Sequence, residues 1–359
     1  MKRFKSSMPR FCLALAVGIA MVALIGMAQQ APTDGPYKVL KAAKAGGDGN
    51  FDYVFADSDG RRLYVPRTGT TPRIMVFNLD TIEKVGEIPN ANARGAAVDP
   101  KSHHGFVSSK PVVMFDSKTL ETIKTIDVQG GPDGILFDPY NQRVWVFSHA
   151  QPNATIIDAK DGSVVNTLDL GGAPEQAVTD GKGHMYVDLE DKDQIAAVDT
   201  KDLKVTAHWD VSGKCGGPGG LGFDEKNHIL FASCHNPANM VILSSVDGKI
   251  LDALPIGSGT DGATFNPKTM EAFSSNSDGT LTVIKEESPA KFVVEQNLKT
   301  MPRAKTLTLD SKTGHVLLIA AEYGPPPAPA TPPDPAKKKG GGGRAPMIPD
   351  SFTVLVVGK

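Results

Sequence analysis

Six charged residues occupy one repeated place along the chain. Asp52, Arg94, Asp133, Glu175, Asp261 and Lys305 each precede a short run of small and apolar residues that closes on Asp or Asn, and Gly219 holds the remaining place. Four carboxylates beside two permanent cations would make a mixed-charge mouth. There Arg94 and Lys305 could hold a carboxylate or phosphate through charge-assisted hydrogen bonds, although a merely solvated rim would show the same polarity. A second set recurs farther along each repeat: Thr68, Lys110, His149, Glu190, His235, Ser277 and Glu322. Imidazole and carboxylate are ligand types of zinc and related divalent ions, so His149, Glu190 and His235 are the metal candidates. Such donors must converge to about 2 Å from the ion, whereas equivalent positions on successive repeats diverge from a common axis. The sequence therefore assigns no metal and no cofactor.

Other chemistries lack their residues. No Gly-x-Ser-x-Gly elbow and no Cys-x-x-Cys-His haem attachment occur. Trp145 and Trp209 are the only tryptophans, which does not suit tryptophan-docked quinone sites. The glycine run at 216–220 leads into a strand pattern, not the helix that a phosphate loop requires. The favoured expectation is a ligand- or protein-binding scaffold with no catalytic residue assigned. The alternative is a lactonase-type or metal-dependent hydrolytic site at the mouth, with Asp52, Asp133, Glu175, His149 and His235 as its acids and bases.

A sevenfold repeat positions all of these side chains. The closing residues Asp57, Asp99, Asp138, Asp180, Asp224, Asn266 and Asp310 lie 42, 39, 42, 44, 42 and 44 residues apart. A period near 42 with strand-like contents predicts an all-β, seven-bladed β-propeller of four-stranded antiparallel blades. The third repeat reads most clearly, with strands at 135–137, 143–147, 155–157 and 164–168. Aspartates at the turns are read as scaffold, since their side chains can accept backbone N–H groups. Small residues such as Ala96, Ala97, Ala177, Gly222 and Ala263 suit inner strands crowded about an axis. The seventh repeat runs out of chain before its fourth strand, and residues 37–43 resemble the outer strand that precedes every other repeat. An N-terminal strand is therefore expected to complete the last blade, which removes an exposed sheet edge.

The chain ends carry different signals. Lys2, Arg3, Lys5 and Arg10 precede an uncharged apolar run from Phe11 to Gly26, followed by small residues up to Ala28. Residues 1–28 read as a secretory signal, the run being shorter than the ~20 residues of a membrane span. A short linker follows at 29–36 and the propeller fills 37–359. Within it, 324–350 is a Pro-, Lys- and Gly-rich insertion expected to be disordered. Removing the leader takes the formal charge from −2 to −6, which argues against nucleic acid as a partner. Cys215 and Cys234 flank the first two strands of blade 5 on one face, where a disulfide is geometrically compatible and two free thiols are the alternative. The expectation is an exported monomer, periplasmic or extracellular, without a transmembrane span after cleavage. It would bind an unidentified protein or small molecule.

Second strands of the form Leu63-Tyr-Val-Pro-Arg67, Met185-Tyr-Val-Asp-Leu189 and Leu230-Phe-Ala-Ser-Cys234, with Asp-Pro turns elsewhere in the repeat, resemble the YVTN-type, YncE-like propeller repeats. The resemblance covers roughly residues 37–359. It lies in the pattern, since the literal Tyr-Val-Thr-Asn tetrad is missing. It implies a seven-bladed ring and export or a cell-surface location, and little about chemistry.

Overall fold

The computed structural model describes Met1 and residues 32–151, 153–326 and 345–359. The expected leader and the middle of the expected insertion lie outside the described residues. Seven four-stranded antiparallel sheets form the blades of a propeller. In blade 3 the strands are Pro132–Asp138, Arg143–Ser148, Ala154–Asp158 and Val164–Leu168, in that order from the axis outward. The expected strands are there, the inner one longer at its mouth end by Pro132, Asp133 and Gly134.

Second and third strands are apolar on both faces because each blade is sandwiched between two others. Val144, Trp145, Val146 and Phe147 are all buried. Outer strands such as Lys84–Pro89 are largely exposed. The core therefore sits between blades. Tyr64, Ile74 and Val76 of blade 1 pack on Val98, Val107 and Phe115 of blade 2. Phe231 of blade 5 stacks on Phe265 of blade 6, with ring centroids 5.2 Å apart.

The closing Asp and Asn residues hold the turns. Their side-chain oxygens accept backbone N–H groups two or more residues on, as at Asp57, Asp99, Asp138, Asp180, Asp224, Asn266 and Asp310. Each turn is thereby satisfied locally, and none of these oxygens is needed at the mouth.

The last blade takes its outer strand from the N-terminus. Lys38–Lys44 pairs antiparallel with Thr353–Gly358, which pairs in turn with Val316–Ala320 and then Lys305–Leu309. The residue before the N-terminal strand and Lys359 are then both clamped to blade 6. The Tyr37 hydroxyl donates to the fully buried Glu271 carboxylate, and Lys359 Nζ donates to the same group at 2.7 Å. Gln296 brackets the Tyr37 backbone, accepting from its N–H and donating to its carbonyl, both at 2.9 Å. Between blades 7 and 1, Arg61 reaches Asp310 with two hydrogen bonds of 2.8 Å. The buried Arg67 donates to the carbonyls of Gly46, Gly47 and Gly49 and lies 4.0 Å over the Phe352 ring.

Cys215 and Cys234 are joined as a disulfide, with Cα atoms 5.2 Å apart, between the approach to blade 5 and the end of its second strand. At the root of the insertion, Gly324 N donates to Pro346 O at 2.9 Å and Ile348 N to Glu322 O at 2.8 Å. No helix among the described residues is long and apolar enough to cross a membrane.

Candidate functional site at the channel mouth

The inner strands of a propeller converge, so the residues opening them meet around the channel. Arg94 Nη1 donates to Asp52 Oδ2 at 2.6 Å, and its Nε lies 3.6 Å from Asp133 Oδ1. Lys305 Nζ pairs with Asp261 Oδ2 at 2.6 Å. Thr306 Oγ1 donates to the carbonyl of Asp52 at 3.0 Å, which links blade 7 to blade 1. Glu175 is held by two partners: Tyr53 OH donates to its Oε1 at 2.7 Å, and His149 Nε2 lies 2.8 Å from its Oε2. Five of the six charged residues thus pair among themselves, as Asp52–Arg94–Asp133 and Lys305–Asp261, and Glu175 pairs instead with Tyr53 and His149. The place of Gly219 is roofed by His235, whose Nε2 would lie 2.9 Å from a Cβ added there.

The second set behaves differently. His149 follows the strand Arg143–Ser148, whose last residue pairs with Pro132 at the mouth. From there its ring turns inward, 3.7 Å from Asp133 Oδ2, and joins the rim. His235 pairs instead with Glu190, at 3.6 Å. His149, Glu190 and His235 therefore do not gather as one ligand set. Among the described residues the set whose donor atoms come together, within 4.8 Å, is Asp133, His149 and Glu175. Lys110 Nζ donates to Gly130 O at 2.5 Å, and Glu322 is exposed beside the insertion.

Burial and neighbouring charge tune the rim. Burial pushes the Asp133 carboxyl up to about 6 against the pull of Arg94, and the Asp261 carboxyl up to about 6 against Lys305. Burial also raises Asp52, opposed by its hydrogen bond from Arg94. It would raise Glu175 as well, but the hydrogen bonds from His149 and Tyr53 outweigh it and hold that carboxyl below its usual value. The hydrogen bond to Glu175 raises His149 to about 9, so near neutrality its imidazole is a cation. Burial and three surrounding carboxylates raise Tyr53 well above the ordinary phenol value.

Two side chains that the repeat did not single out build the floor. The position after each mouth residue is Gly at 95, 134, 220 and 262 and the small Thr at 306, but the long side chains Tyr at 53 and Gln at 176. The glycines leave room: a Cβ on Gly134 would come 2.9 Å from Glu175 O, and one on Gly220 2.5 Å from Ala263 N. Tyr53 crosses to Glu175. Gln176 crosses to blades 5 and 6, accepting from Leu221 N and Ala263 N at 3.1 Å and donating to Ala263 O at 2.9 Å. The buried Asp188 supports this strand from behind, its Oδ1 accepting from Gln176 N at 2.5 Å. The departure of Tyr53 and Gln176 from the glycine pattern was the signal for them in the sequence.

The channel is stratified. Its inner cavity, about 360 Å³, is lined by Tyr53, Glu175, Gln176 and Asp261 among small residues. Above it opens a cleft of about 1290 Å³ whose walls include Arg94, Lys110, Arg303 and Lys305, with Asp52, Asp133 and His149 at its base. Arg303 was not foreseen, because it stands outside the repeated positions. Its guanidinium lies 4.2 Å over the Tyr323 ring. No protein-family model matches this chain, and no curated protein matches it.

Proposed function

We propose that the chain is an exported binding protein of the YVTN-type, YncE-like kind, which takes a small anionic ligand, a carboxylate or phosphate, at the channel mouth. The observation that carries this reading is one cleft lined by four cationic side chains, Arg94, Lys110, Arg303 and Lys305. Arg94 and Lys305 are already braced by Asp52 and Asp261. Bracing limits the side-chain entropy lost on binding and leaves the remaining donors of each cation for a ligand oxygen. The basic, apolar and small-residue order of the leader and the presence of a disulfide support an oxidising compartment outside the cytoplasm.

The test is isothermal titration of the purified protein with citrate and with inorganic phosphate, at low and high salt. Saturable binding of either anion that weakens with salt, and that falls about tenfold or more in the R94Q/K305Q variant, is the expected result. Anion binding that is absent, or indifferent to that double substitution in a folded variant, would refute the assignment.

A further inference from the structure

We propose that Asp133, His149 and Glu175 bind one divalent transition-metal ion, with zinc as the reference ion, where blades 3 and 4 meet at the rim. Each residue offers one donor atom, and the three lie within 4.8 Å of one another. Donors placed about 2.1 Å from a tetrahedral ion stand roughly 3.4 Å apart. The distances from His149 Nε2, 2.8 Å to Glu175 Oε2 and 3.7 Å to Asp133 Oδ2, straddle that spacing. Asp133 and Glu175 offer oxygens within 4.8 Å of each other, and side-chain rotation is the movement that would close this third edge. On binding, the ion displaces the proton that His149 Nε2 shares with Glu175, and one imidazole nitrogen with two carboxylate oxygens then form a donor set for zinc and its first-row neighbours.

The surroundings are those of a supported site. Asp133 and Glu175 are the second residues of the strands Pro132–Asp138 and Pro174–Thr179, each in a β-bulge between a paired proline, Pro132 with Ser148 or Pro174 with Leu189, and the point where pairing resumes at Ile135 or Ala177. Tyr53 donates to Glu175 Oε1 and leaves Oε2 toward His149, the outer hydrogen bond that orients a ligating carboxylate. Arg94 is committed to Asp52 at 2.6 Å and only approaches Asp133 at 3.6 Å. Asp133 thus keeps a free oxygen for the ion. The His149 side chain is 44% exposed at the base of the cleft, which leaves a coordination position open to water or to a ligand. Cys215 and Cys234 are tied in their disulfide and do not compete as thiolates.

This inference goes beyond the anion-binding reading and is tested without any anion. The chelator-stripped, dialysed protein is titrated with Zn²⁺ by calorimetry, and with Co²⁺ while the visible spectrum is recorded. One saturable Zn²⁺ per chain and a Co²⁺ band that saturates at the same stoichiometry are expected. H149Q should weaken Zn²⁺ binding by about tenfold or more and remove the Co²⁺ band. D133N should do the same, which covers the case of a local change around His149. H184Q, altering an exposed histidine paired with Asp180 at the far end of the blade 4 strands, should bind as the unaltered protein does. Circular dichroism and urea midpoints confirm that each variant is folded. Absence of saturable Zn²⁺ uptake would overturn the site, as would folded H149Q and D133N variants that bind normally, or uptake lost in H184Q.

Discussion

Ring closure rests on a clamp whose strength is measurable. Tyr37 is 3% exposed and Glu271 fully buried, and the Tyr37 hydroxyl donates to the Glu271 carboxylate. Replacing Tyr37 with Phe removes that one hydrogen bond. It keeps the edge-to-face contact with Phe273, whose ring centroid is 5.3 Å away, and both backbone bonds to Gln296. A hydrogen bond to an ionised group contributes about 1.5–3 kcal/mol. Glu271 would still have Lys359 at 2.7 Å and Lys285 at 3.7 Å, so the carboxylate is not left without a partner. The expected loss is therefore in the lower half of that range, about 1.5–2 kcal/mol, in equilibrium urea unfolding at pH 7. In an E271Q background the acceptor is neutral, and the same change should cost about 1 kcal/mol. The difference between the two backgrounds is the coupling between the residues. A loss below about 0.5 kcal/mol, or equal losses in both backgrounds, would refute the view that this contact locks the N-terminal strand to the ring.

Two further outcomes follow from buried groups away from the mouth. Burial, with Asp224 nearby, raises the Glu286 carboxyl to about 7 although Asn227 donates to it at 2.7 Å. An unfolded Glu releases its proton near its ordinary value of 4.5. Between those two values the folded state binds more protons, so stability should fall as pH rises, by up to about 1.4 kcal/mol per pH unit. E286Q, which keeps an acceptor for Asn227, should flatten that slope in urea titrations from about pH 5 to pH 7; an unchanged slope would exclude Glu286 as its origin. The Cys215–Cys234 bridge closes a loop with a sequence separation of 19. A C215S/C234S variant should lose about 3 kcal/mol in urea unfolding, and a reductant should then shift the midpoint of the parent protein but not that of the variant.

Much of the architecture was legible residue by residue. Each closing Asp or Asn predicted a turn because its side chain satisfies backbone groups two or more residues on, a local interaction that needs no other blade. Residues 37–43 announced an outer strand by their likeness to the segments before other blades, and Lys38–Lys44 takes that place. The charged rim was legible for the same reason, since one register places Asp52, Arg94, Asp133, Glu175, Asp261 and Lys305 alike. The pairing within the rim was not. Which carboxylate Arg94 takes, and that His149 leaves its own register to meet Glu175, depend on distances between blades that no local pattern encodes.

The sequence by itself determined the period, the turns, the strand that closes the ring and the kinds of charge at the mouth, because these follow from hydrogen bonding and burial within one repeat. Only the tertiary structure decided which of those charges touch. Glycine at 95, 134, 220 and 262 lets the inner strands crowd the axis, and Tyr53 and Gln176, the long side chains at that position, fill the space so made. Packing between blades sets how far each strand stands from the axis. It thereby brought donor atoms of Asp133, His149 and Glu175, from two blades and two repeat positions, to within 4.8 Å of one another.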